Sequence, residues 1–478
     1  MTRLTLLQLN DLHGYLRPHP ELLRTGAEPV FRELGGVARI AAVFNRVRDE
    51  NPGAVLALDN GDTFHGTRLA VESRGLALTG SINALGLSAM TLHWEFAWSP
   101  TGVRELQNRI SHPLLACNCF DSTTGKLFLE PWHMVERAGL RIAVIGLACP
   151  IIDKVMPPEF SEGVHFTMGN EELPGHVAAA RAAGADLIVL LSHAGFPQDV
   201  KLAGEVPGLD VILSGHTHNR LWQPFTVNGT VIMQSGCHGS FIGRLDLDVG
   251  RHGITSWRHE LIPVGADVAE DPHVARLVGH AVKQEPAGMD DVIGRVAAPL
   301  HRYAQLNAPM DDLLLEAVAA AAGTELAFSN GWRYGAPVPP GPVTVRDVWN
   351  IIPVNPGVWT TELTGAELTE MLEENLENTF AADPYRQMGG YVKRMRGIRL
   401  YAKLENPSGA RIGELFVNGE PVDPEATYKC AFVTEQGVPR KYGRNRTPLG
   451  VDAVSALLDL FDRQHEVDLP RSPSVLAV

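Results

Sequence analysis

The chain has 478 residues, too many for one hydrophobic core, and so predicts two domains. It carries 41 Lys and Arg residues against 55 Asp and Glu residues, which gives a formal net charge of −14. This balance argues against a protein that coats nucleic acid or binds an anionic membrane, and no apolar run is long enough to span a membrane.

The start of the chain and its cysteines bear on location. Met1-Thr2-Arg3 leads directly into strand-like residues, without the apolar segment and cleavage site of a signal peptide. Five cysteines, an odd number, are scattered along the chain, which is typical of reduced, buried thiols. We therefore expect a cytoplasmic protein; a processed or tagged start would instead favour the periplasm.

The first predicted domain, residues 1–265, alternates strand-like and helix-like segments. A loop joins the first strand to the first helix, and polar residues alternate with apolar ones from Leu245 to Val249. The pattern predicts layered α/β architecture, with two sheets packed face to face and helices outside. The predicted strands are 4–9, 54–58, 87–92, 113–119, 131–137, 141–147, 186–191, 210–213, 230–235 and 241–249, and the predicted helices are 36–50, 74–85 and 171–183.

Residues 266–290 predict a helical linker, and residues 291–478 predict a second α/β domain with helices at 310–322 and 364–379. Thr364 and Glu367 form a capping-box pattern at the start of the second helix. Asn418-Gly419 predicts a hairpin turn. The tail after about residue 465, which contains Pro470 and Pro473, is expected to be loosely held.

Four predicted strands of the first domain end in residues that can bind a metal ion, and His93 follows the strand predicted at 87–92. The carboxyl ends of parallel strands meet at one edge of a sheet, so these side chains are expected to converge. Any one of them could be an ordinary loop residue, but the ordered set indicates a shared metal centre. The candidate ligands are Asp11, His13, Asp62, His93, His193, His216 and His218.

The candidates divide into two sets that share Asp62, because a carboxylate has two oxygens for two cations. Mixed nitrogen and oxygen ligands without a thiolate fit Mn²⁺, Zn²⁺, Co²⁺ or Fe²⁺ better than Ca²⁺ or Mg²⁺. We expect two divalent ions, Mn²⁺ first among them, as in sites that activate water for hydrolysis. One set is Asp11, His13, Asp62 and His218; the other is Asp62, His93, His193 and His216.

The ligand motifs resemble those of the calcineurin-like metallophosphoesterases, and the whole chain resembles the 5′-nucleotidase family within them. The resemblance implies a four-layer metallophosphatase β-sandwich flanked by helices and a C-terminal α/β domain that delivers the substrate. The motifs are Asp11-x-His13, Gly61-Asp62-x-x-x-Gly66, His93-Trp94-Glu95-Phe96, Ser192-His193, Gly215-His216-x-His218 and, in the second domain, Ser329-Asn330-Gly331-Trp332-Arg333.

Two departures from the family pattern concern the substrate. The nucleotidases have Gly-Asn-His-Glu where this chain has Leu92-His93-Trp94-Glu95, so Trp94 replaces the histidine assigned to transition-state stabilisation. The His-Trp-Glu-Phe form resembles the bacterial sulfur-oxidation thiosulfohydrolases, which remove sulfate from a cysteine S-thiosulfonate on a carrier protein. Asn355 lies near the position of a family aromatic residue, and Tyr442 is the candidate to stack on a base.

Roles follow for the remaining candidates. The resemblance implies that Arg333 binds the anionic group of the substrate, and Glu95 and His238 are expected to support the ligands. The basic runs at 393–396 and 440–446 are expected to form a solvated face, or alternatively to attract an anionic substrate or an acidic carrier protein. The predicted catalytic residues are Asp62, His93, Trp94 and Arg333, and the predicted substrate contacts are Arg333, Asn330, Asn355 and Tyr442.

Three functions are compatible with these residues. The first is hydrolysis of a small phosphomonoester in the manner of a 5′-nucleotidase. The second is hydrolysis of a cysteine S-thiosulfonate by an S-sulfohydrolase. The third, from another class, is a non-catalytic binding protein of the same fold, against which the complete ligand set argues.

Overall fold

The computed structural model describes residues 1–26, 28–469 and 473–478. Contacts divide the chain into two compact units: Met1–Glu21 with Arg32–Glu285, and Leu22–Phe31 with Pro286–Val478. The predicted domain limits, 1–265, 266–290 and 291–478, stay a prediction. Within the described residues, the search for a helix long and apolar enough to cross a membrane finds none.

Strands and helices are interspersed before residue 265, as the sequence predicts, but several strands follow one another without a helix between them. The strands are β1 (Thr2–Leu9), β2 (Pro18–Thr25), β3 (Glu28–Gly35), β4 (Val55–Asp59), β5 (Ala89–Met90), β6 (Cys119–Asp121), β7 (Trp132–Arg137), β8 (Leu140–Leu147), β9 (Val164–Phe166), β10 (Leu187–Ser192), β11 (Val211–Ser214), β12 (Phe225–Val227), β13 (Thr230–Met233), β14 (Phe241–Gly250) and β15 (Gly253–Pro263).

Helices cover the two sheets of the first unit. In the first of them Val37, Ile40, Phe44 and Val47 recur at helical spacing and are buried. The helices are α1 (Val37–Glu50), α2 (Arg68–Glu72), α3 (Thr79–Asn83), α4 (Ser99–Gln107), α5 (Ile152–Val155), α6 (Leu173–Ala182), α7 (Phe196–Glu205) and α8 (Pro272–Val282).

The core of the first unit lies between two sheets. One has the strand order β15-β14-β1-β4-β5, and the other has the order β12-β13-β11-β10-β8-β7. Leu6 and Leu58 of the first sheet join Leu191 and Leu213 of the second in one buried cluster. The alternation predicted for 241–249 is confirmed, because Leu245 and the apolar residues that alternate with it are buried.

Parallel pairing brings the candidate ligand segments to common edges. Strand β1 pairs with β4 so that Leu9 lies opposite Asp59, and β10 pairs with β11 so that Ser192 lies opposite Ser214. Six of the seven candidate ligands follow these four strand ends, and His93 follows β5, which pairs parallel to β4. The sheet topology therefore produces the convergence that the strand order predicts.

Three predicted elements of the first domain differ from the structure. The strand predicted at 113–119 is reduced to isolated bridges at Leu114 and Leu115, and β6 begins only at Cys119. The predicted helix at 74–85 is replaced by a short 3₁₀ turn, Leu76–Leu78, followed by α3, because Gly75 adopts a left-handed φ of 77°. A Cβ at Gly75 would lie 2.7 Å from the Cβ of Phe64, so the close approach requires glycine. The predicted loop before α1 instead contains β2 and β3, which form a two-stranded sheet.

The second unit combines helices with three sheets, in the orders β18-β16-β26, β20-β17-β24-β19-β25 and β23-β22-β21-β27. The strands are β16 (Val292–Val296), β17 (Leu326–Gly331), β18 (Gly341–Thr344), β19 (Gly357–Thr364), β20 (Tyr391–Arg396), β21 (Ile398–Ala402), β22 (Ile412–Val417), β23 (Glu420–Pro421), β24 (Thr427–Val433), β25 (Arg444–Asp452), β26 (Glu466–Val467) and β27 (Val475–Ala477); the helices are α9 (Pro309–Ala322), α10 (Val345–Ile351), α11 (Gly365–Phe380) and α12 (Ala453–Arg463).

The capping box and the hairpin predicted from local sequence signals in this unit are confirmed, but the prediction of a loosely held tail is wrong. Thr364 and Glu367 form the predicted capping box at the start of α11, and β22 and β23 form the predicted hairpin. The tail instead contributes β27, which pairs with β21 and buries Val475. Pro470 lies outside the described residues.

The basic run at 393–396 is not a solvated face. Lys393 and Arg394 are consecutive and both are buried, because both faces of β20 are covered in this unit. Lys393 Nζ donates to the Gly437 carbonyl at 2.9 Å, and burial lowers the pKa of Lys393 to about 8. Arg394 forms an ion pair with the buried carboxylate of Asp311 at 3.3 Å.

Candidate metal centre

The structure brings both predicted ligand sets together. Within each set the ligand atoms lie within 4.8 Å of one another, and Asp62 belongs to both. Six of the seven residues are buried, and the side chain of the seventh, His218, is only 5% exposed. The two sets, as predicted from the sequence, are Asp11, His13, Asp62 and His218, and Asp62, His93, His193 and His216.

The first set combines two carboxylates with two imidazoles. The Nε2 atoms of His13 and His218 face each other at 3.1 Å, and His218 Nε2 lies 3.3 Å from Asp11 Oδ1. His13 Nε2 is 3.7 Å from Asp62 Oδ2. The main-chain N–H of His13 donates to the Asp62 carbonyl at 2.7 Å, which connects the two loops that carry these ligands.

The second set gathers around the same oxygen of Asp62. Asp62 Oδ2 lies 3.1 Å from His93 Nδ1 and 3.2 Å from His193 Nε2. The other oxygen, Oδ1, accepts the main-chain N–H of Trp94 at 2.8 Å. Sequence reasoning assigned one carboxylate oxygen to each cation, whereas the structure directs a single oxygen toward both sets.

Electrostatics at the centre favour positive charge. Burial alone would raise the pKa of the Asp62 carboxyl, but His93, His193 and His13 outweigh burial and hold this pKa well below its usual range. Burial lowers the pKa of His193, while Asp62 and Asp11 together raise it to about 9. For His13, burial outweighs the carboxylates and lowers the pKa to about 4.

The backbone is strained at most of the candidate ligands. A positive φ is uncommon for residues other than glycine and costs about 1 kcal/mol or more. Such strain collects at functional sites, where the surrounding structure holds it in place. The strained ligands are Asp11 (47°), His13 (50°), Asp62 (55°), His216 (71°) and His218 (57°).

The donor set fits two divalent cations. The Nδ1–H of His193 donates to the Asn60 carbonyl at 2.6 Å, so its Nε2 is directed toward Asp62 and Asp11. Buried carboxylates facing imidazole nitrogens form a site that must hold protons or cations. Nitrogen and oxygen donors suit Mn²⁺, Zn²⁺, Co²⁺ and Fe²⁺.

Glu95 and His238 contact the segments that carry the ligands. The buried Glu95 carboxylate accepts the main-chain N–H groups of His93 at 2.9 Å and Thr63 at 2.8 Å, which connects the two ligand loops. The main-chain N–H of His238 donates to the Asp11 carbonyl at 2.8 Å. The His238 ring centre lies 5.8 Å from that of His13.

Trp94 borders the centre as part of an aromatic group. Its ring stacks on the ring of His65 with centroids 4.2 Å apart, and Phe160 contacts it edge-on at 5.9 Å. Burial lowers the pKa of His65 to about 3, so the imidazole under the indole is neutral. Neither ring therefore offers a cation at the position where the nucleotidases have a histidine.

Arg333 and Asn330 lie in the second unit. Asn330 is in β17, and its Oδ1 accepts the Thr434 hydroxyl at 3.0 Å. Arg333 lies in the loop after β17, donates to the Gly390 carbonyl at 3.0 Å and stacks 5.2 Å from the centre of the Tyr391 ring. A substrate role for these two residues stays a prediction.

The other two predicted substrate contacts are used within the fold. Asn355 Oδ1 accepts the main-chain N–H of Val454 at 2.9 Å, at the first turn of α12. The Tyr442 ring is only 3% exposed and belongs to a hydrophobic core, and its hydroxyl lies 3.1 Å from Glu374. Stacking of a base on Tyr442 is therefore wrong, because the ring is covered by core residues.

A buried polar network beneath the ligands was missed by sequence reasoning. Gln8 and Asn60 are fully buried at the ends of ligand-bearing strands, and the buried Asp199 of α7 accepts the hydroxyl of Ser192 at 2.6 Å. The only sequence signal is a polar residue inside an otherwise apolar run, as at Gln8 in β1. Cys149 is one of the five cysteines predicted to be reduced thiols; it is free and buried, and its side chain hydrogen-bonds the His93 ring.

Comparison with known proteins supports this architecture. Residues 292–434 match the family described as the 5′-nucleotidase C-terminal domain. The chain is 24% identical to UshA of Escherichia coli over 90% of this chain and 84% of UshA. It is 25% identical to the trifunctional nucleotide phosphoesterase YfkN of Bacillus subtilis over 90% of this chain, but it spans only 31% of that protein.

Two solved structures from Thermus thermophilus share the fold over nearly the whole chain. The sulfate thiohydrolase SoxB superposes with a TM-score of 0.91 at 26% identity and covers 99% of this chain and 96% of its own. A 5′-nucleotidase precursor superposes with a TM-score of 0.88 at 25% identity and covers 100% of this chain and 99% of its own.

The fold and the paired ligand sets support a metal-dependent hydrolase similar to the class of calcineurin-like metallophosphoesterases, and residues 292–434 match a C-terminal domain of the 5′-nucleotidase type. Within that class, the resemblance of the chain to the 5′-nucleotidases is confirmed, together with its likeness in motif to the thiosulfohydrolases.

Proposed function

We propose that the chain hydrolyses small phosphomonoesters in the manner of a 5′-nucleotidase, with two divalent metal ions held by the seven candidate ligands. The observation that carries the proposal is the shared carboxylate: Asp62 Oδ2 faces His93 and His193 of one set and His13 of the other. Mn²⁺ is the proposed ion, and Zn²⁺, Co²⁺ and Fe²⁺ are the alternatives.

The chemistry that such ions supply when bound is activation of water and stabilisation of negative charge that develops in the transition state. The residues of the chain hold and orient the site. Glu95 and the main-chain N–H of Trp94 fix the loops of Asp62 and His93, and Asn60 sets the tautomer of His193. Arg333 is proposed to bind the anionic group of the substrate through its guanidinium.

The second candidate is hydrolysis of a cysteine S-thiosulfonate. Trp94 favours it, because an indole in place of the family histidine removes a cationic donor from the phosphoester site. The full-length superposition on the Thermus sulfate thiohydrolase also supports it. In this case the partner would be a carrier protein with a modified cysteine, whereas the first candidate needs only a small anionic substrate.

A substrate panel separates the two candidates. Metal-reconstituted protein would be assayed with AMP, UMP, bis-p-nitrophenyl phosphate and a thiosulfonate-capped peptide. Release of phosphate from AMP or UMP is the expected result. Cleavage of the peptide alone would replace the first candidate with the second, and protein that binds two metal ions but cleaves none of the four would support a binding protein.

The proposed location is the cytoplasm, with a periplasmic form as the alternative. The periplasmic alternative is supported by the name of the Thermus 5′-nucleotidase precursor. Fractionation of cells that produce the chain, with a cytoplasmic and a periplasmic marker enzyme, distinguishes the two. Recovery with the periplasmic marker would also strengthen the carrier-protein candidate.

A further inference from the structure

We infer that Asn60 is a positioning residue for one of the two metal sites and not for the other, an inference that rests on the proposed dinuclear centre. Asn60 follows β4 and precedes Gly61-Asp62, and its side chain is fully buried. Both polar atoms of its side chain are used in hydrogen bonds to Gln8, Ser192 and Leu213. Its amide connects the ends of the two strands that lead to His193 and His216.

Both hydrogens of the amide are used on these strands. Asn60 Nδ2 donates to the carbonyl of Ser192 at 2.8 Å and to the carbonyl of Leu213 at 2.7 Å. Ser192 is the last residue of β10 and immediately precedes His193. Leu213 lies in β11, three residues before His216. One side chain therefore sets the separation of two ligand-bearing strand ends.

The orientation of the amide is fixed by Gln8. Gln8 Nε2 donates to Asn60 Oδ1 at 2.7 Å and to the Ser214 carbonyl at 2.9 Å. Gln8 Oε1 in turn accepts the hydroxyl of Ser235. The hydrogen-bond partners of the Gln8 and Asn60 side-chain amides are therefore fixed. If the Asn60 amide were flipped, its N–H groups would face the N–H group of Gln8.

The main chain of Asn60 acts on His193 directly. Its carbonyl accepts the Nδ1–H of His193 at 2.6 Å, which leaves His193 Nε2 to face Asp62 at 3.2 Å. Fixing the tautomer and ring plane of a histidine ligand through its other nitrogen is how supporting residues tune metal affinity. A shift of residue 60 therefore moves the His193 ring as well as the strand end.

The segments around Asn60 are closely packed. A Cβ added at Gly215, next to His216, would lie 3.2 Å from Asn60 Cβ and 3.2 Å from His193 Nδ1. The three segments are thus in van der Waals contact around Asn60. Removing the amide leaves two buried carbonyls without their donor, and the strand ends must then move to find other partners.

The effect is expected to be selective, because His193 and His216 belong only to the set that contains His93. The other set also receives the main-chain N–H of His216 on the Asp11 carboxylate at 3.2 Å, but its loops are held by contacts of their own. The His13 N–H donates to the Asp62 carbonyl, and the His238 N–H donates to the Asp11 carbonyl. Asn60 makes none of these bonds. The chain should therefore keep the first metal ion when the Asn60 amide is removed.

Asn60→Ala and the smaller change Asn60→Ser test this inference, with Asn118→Ala as the matched control. Asn118 is equally buried and also bridges two carbonyls, those of Ala148 at 2.9 Å and Thr167 at 3.0 Å, but neither residue precedes a candidate ligand. Each protein would be loaded with Mn²⁺ and dialysed. Metal content and the electron paramagnetic resonance spectrum would then be measured, with the melting temperature of each metal-free protein.

Wild type and Asn118→Ala are expected to bind two equivalents of Mn²⁺ with the spectrum of a coupled pair. The Asn60 variants should bind one equivalent tightly, with the spectrum of an isolated ion, and the second about 10- to 100-fold more weakly. Two tight equivalents in the Asn60 variants, equal loss of both, or failure of both variants to fold while Asn118→Ala folds would overturn the inference. Fewer than two equivalents in wild type would instead refute the dinuclear centre.

Discussion

The main-chain N–H of Trp94 donates to Asp62 Oδ1 at 2.8 Å, while the Trp94 ring stacks on His65. The backbone of residue 94 thus fixes the shared carboxylate, whatever side chain it carries. Asp62 Oδ2 is left to face the imidazoles of both ligand sets. A substitution at residue 94 can therefore change the side chain that borders the site without removing the backbone hydrogen bond that orients the Asp62 carboxylate.

This separation predicts the outcome of Trp94→His. The backbone bond to Asp62 should persist, and a histidine returns a side chain that can donate to a developing phosphoryl charge. We expect phosphomonoesterase kcat to rise by at least about tenfold and any thiosulfonate hydrolysis to fall. Steady-state kinetics on both substrates is the measurement. Trp94→Phe, which adds no donor, is the control; an equal rise in that variant would contradict the explanation.

The five ligands at positive φ predict how metal removal affects stability. Bound ions stabilise the folded state by about 2.7 kcal/mol for each site at a hundredfold excess over Kd, which offsets backbone strain. We expect chelation to lower the Tm of the first unit by about 5–10 °C. Calorimetry with EDTA and after Mn²⁺ is restored measures this shift. Identical thermograms in the two conditions would show that no ion contributes to folding.

Asp62→Asn tests the shared carboxylate. An amide keeps the shape of the side chain but removes the negative charge that His93, His193 and His13 face, so turnover should be abolished and metal content reduced. Elemental analysis after dialysis and substrate assays are the measurements. Asp121→Asn, a carboxylate at an exposed turn, is the control and should leave both unchanged. Wild-type activity in Asp62→Asn would refute the assignment of the shared ligand.

The convergence of the ligands could be predicted because it follows from strand direction alone. Asp11 and Asp62 follow adjacent parallel strands, and His193 and His216 follow another such pair. Periodicity and the position of a polar residue after an apolar run contain that information. Capping residues such as Thr364 are equally local, which explains why the start of α11 was also predicted.

The errors concern residues whose environment is set by distant segments. Lys393 and Arg394 look like a solvated charge run, but their partners, Gly437 and Asp311, are more than 40 residues away. Tyr442 is covered by a core that forms only when the unit folds. The amide of Asn60 likewise bonds to Ser192 and Leu213, which follow it in the sequence by 132 and 153 residues. No local sequence pattern indicates these contacts.

Arg333 is expected to contribute through both charge and shape. Its guanidinium stacks near Tyr391 and donates to Gly390, so its orientation is set before substrate binds. Arg333→Ala should raise KM about 10- to 100-fold, and Arg333→Lys should recover only part of the loss, since an ammonium lacks the planar fork. Steady-state kinetics with AMP measures the effect. Arg399→Ala, at an exposed position of β21, is the control.

If Arg333 binds the anionic group, its loss should also weaken inhibition by inorganic phosphate, while metal content stays at the wild-type value. An unchanged KM in Arg333→Ala would remove this residue from the proposed substrate site. Reduced metal content in that variant would indicate damage to the fold instead, and the paired metal measurement distinguishes the two outcomes.

The raised pKa of Asp312 predicts that the stability of the second unit depends on pH. Burial, and next the neighbouring Asp311, raise the pKa of Asp312 to about 7 from the ordinary value of 3.8. The folded state therefore binds more protons than the unfolded state between these two values, and stability falls as pH rises from about 4 to 7. Asp312→Asn removes this titration. We expect the variant to gain Tm over wild type above pH 7 and to lose that advantage near pH 4, as measured by thermal melts of metal-free protein across this range. A constant difference in Tm at every pH would show that Asp312 is ionised in the folded state throughout.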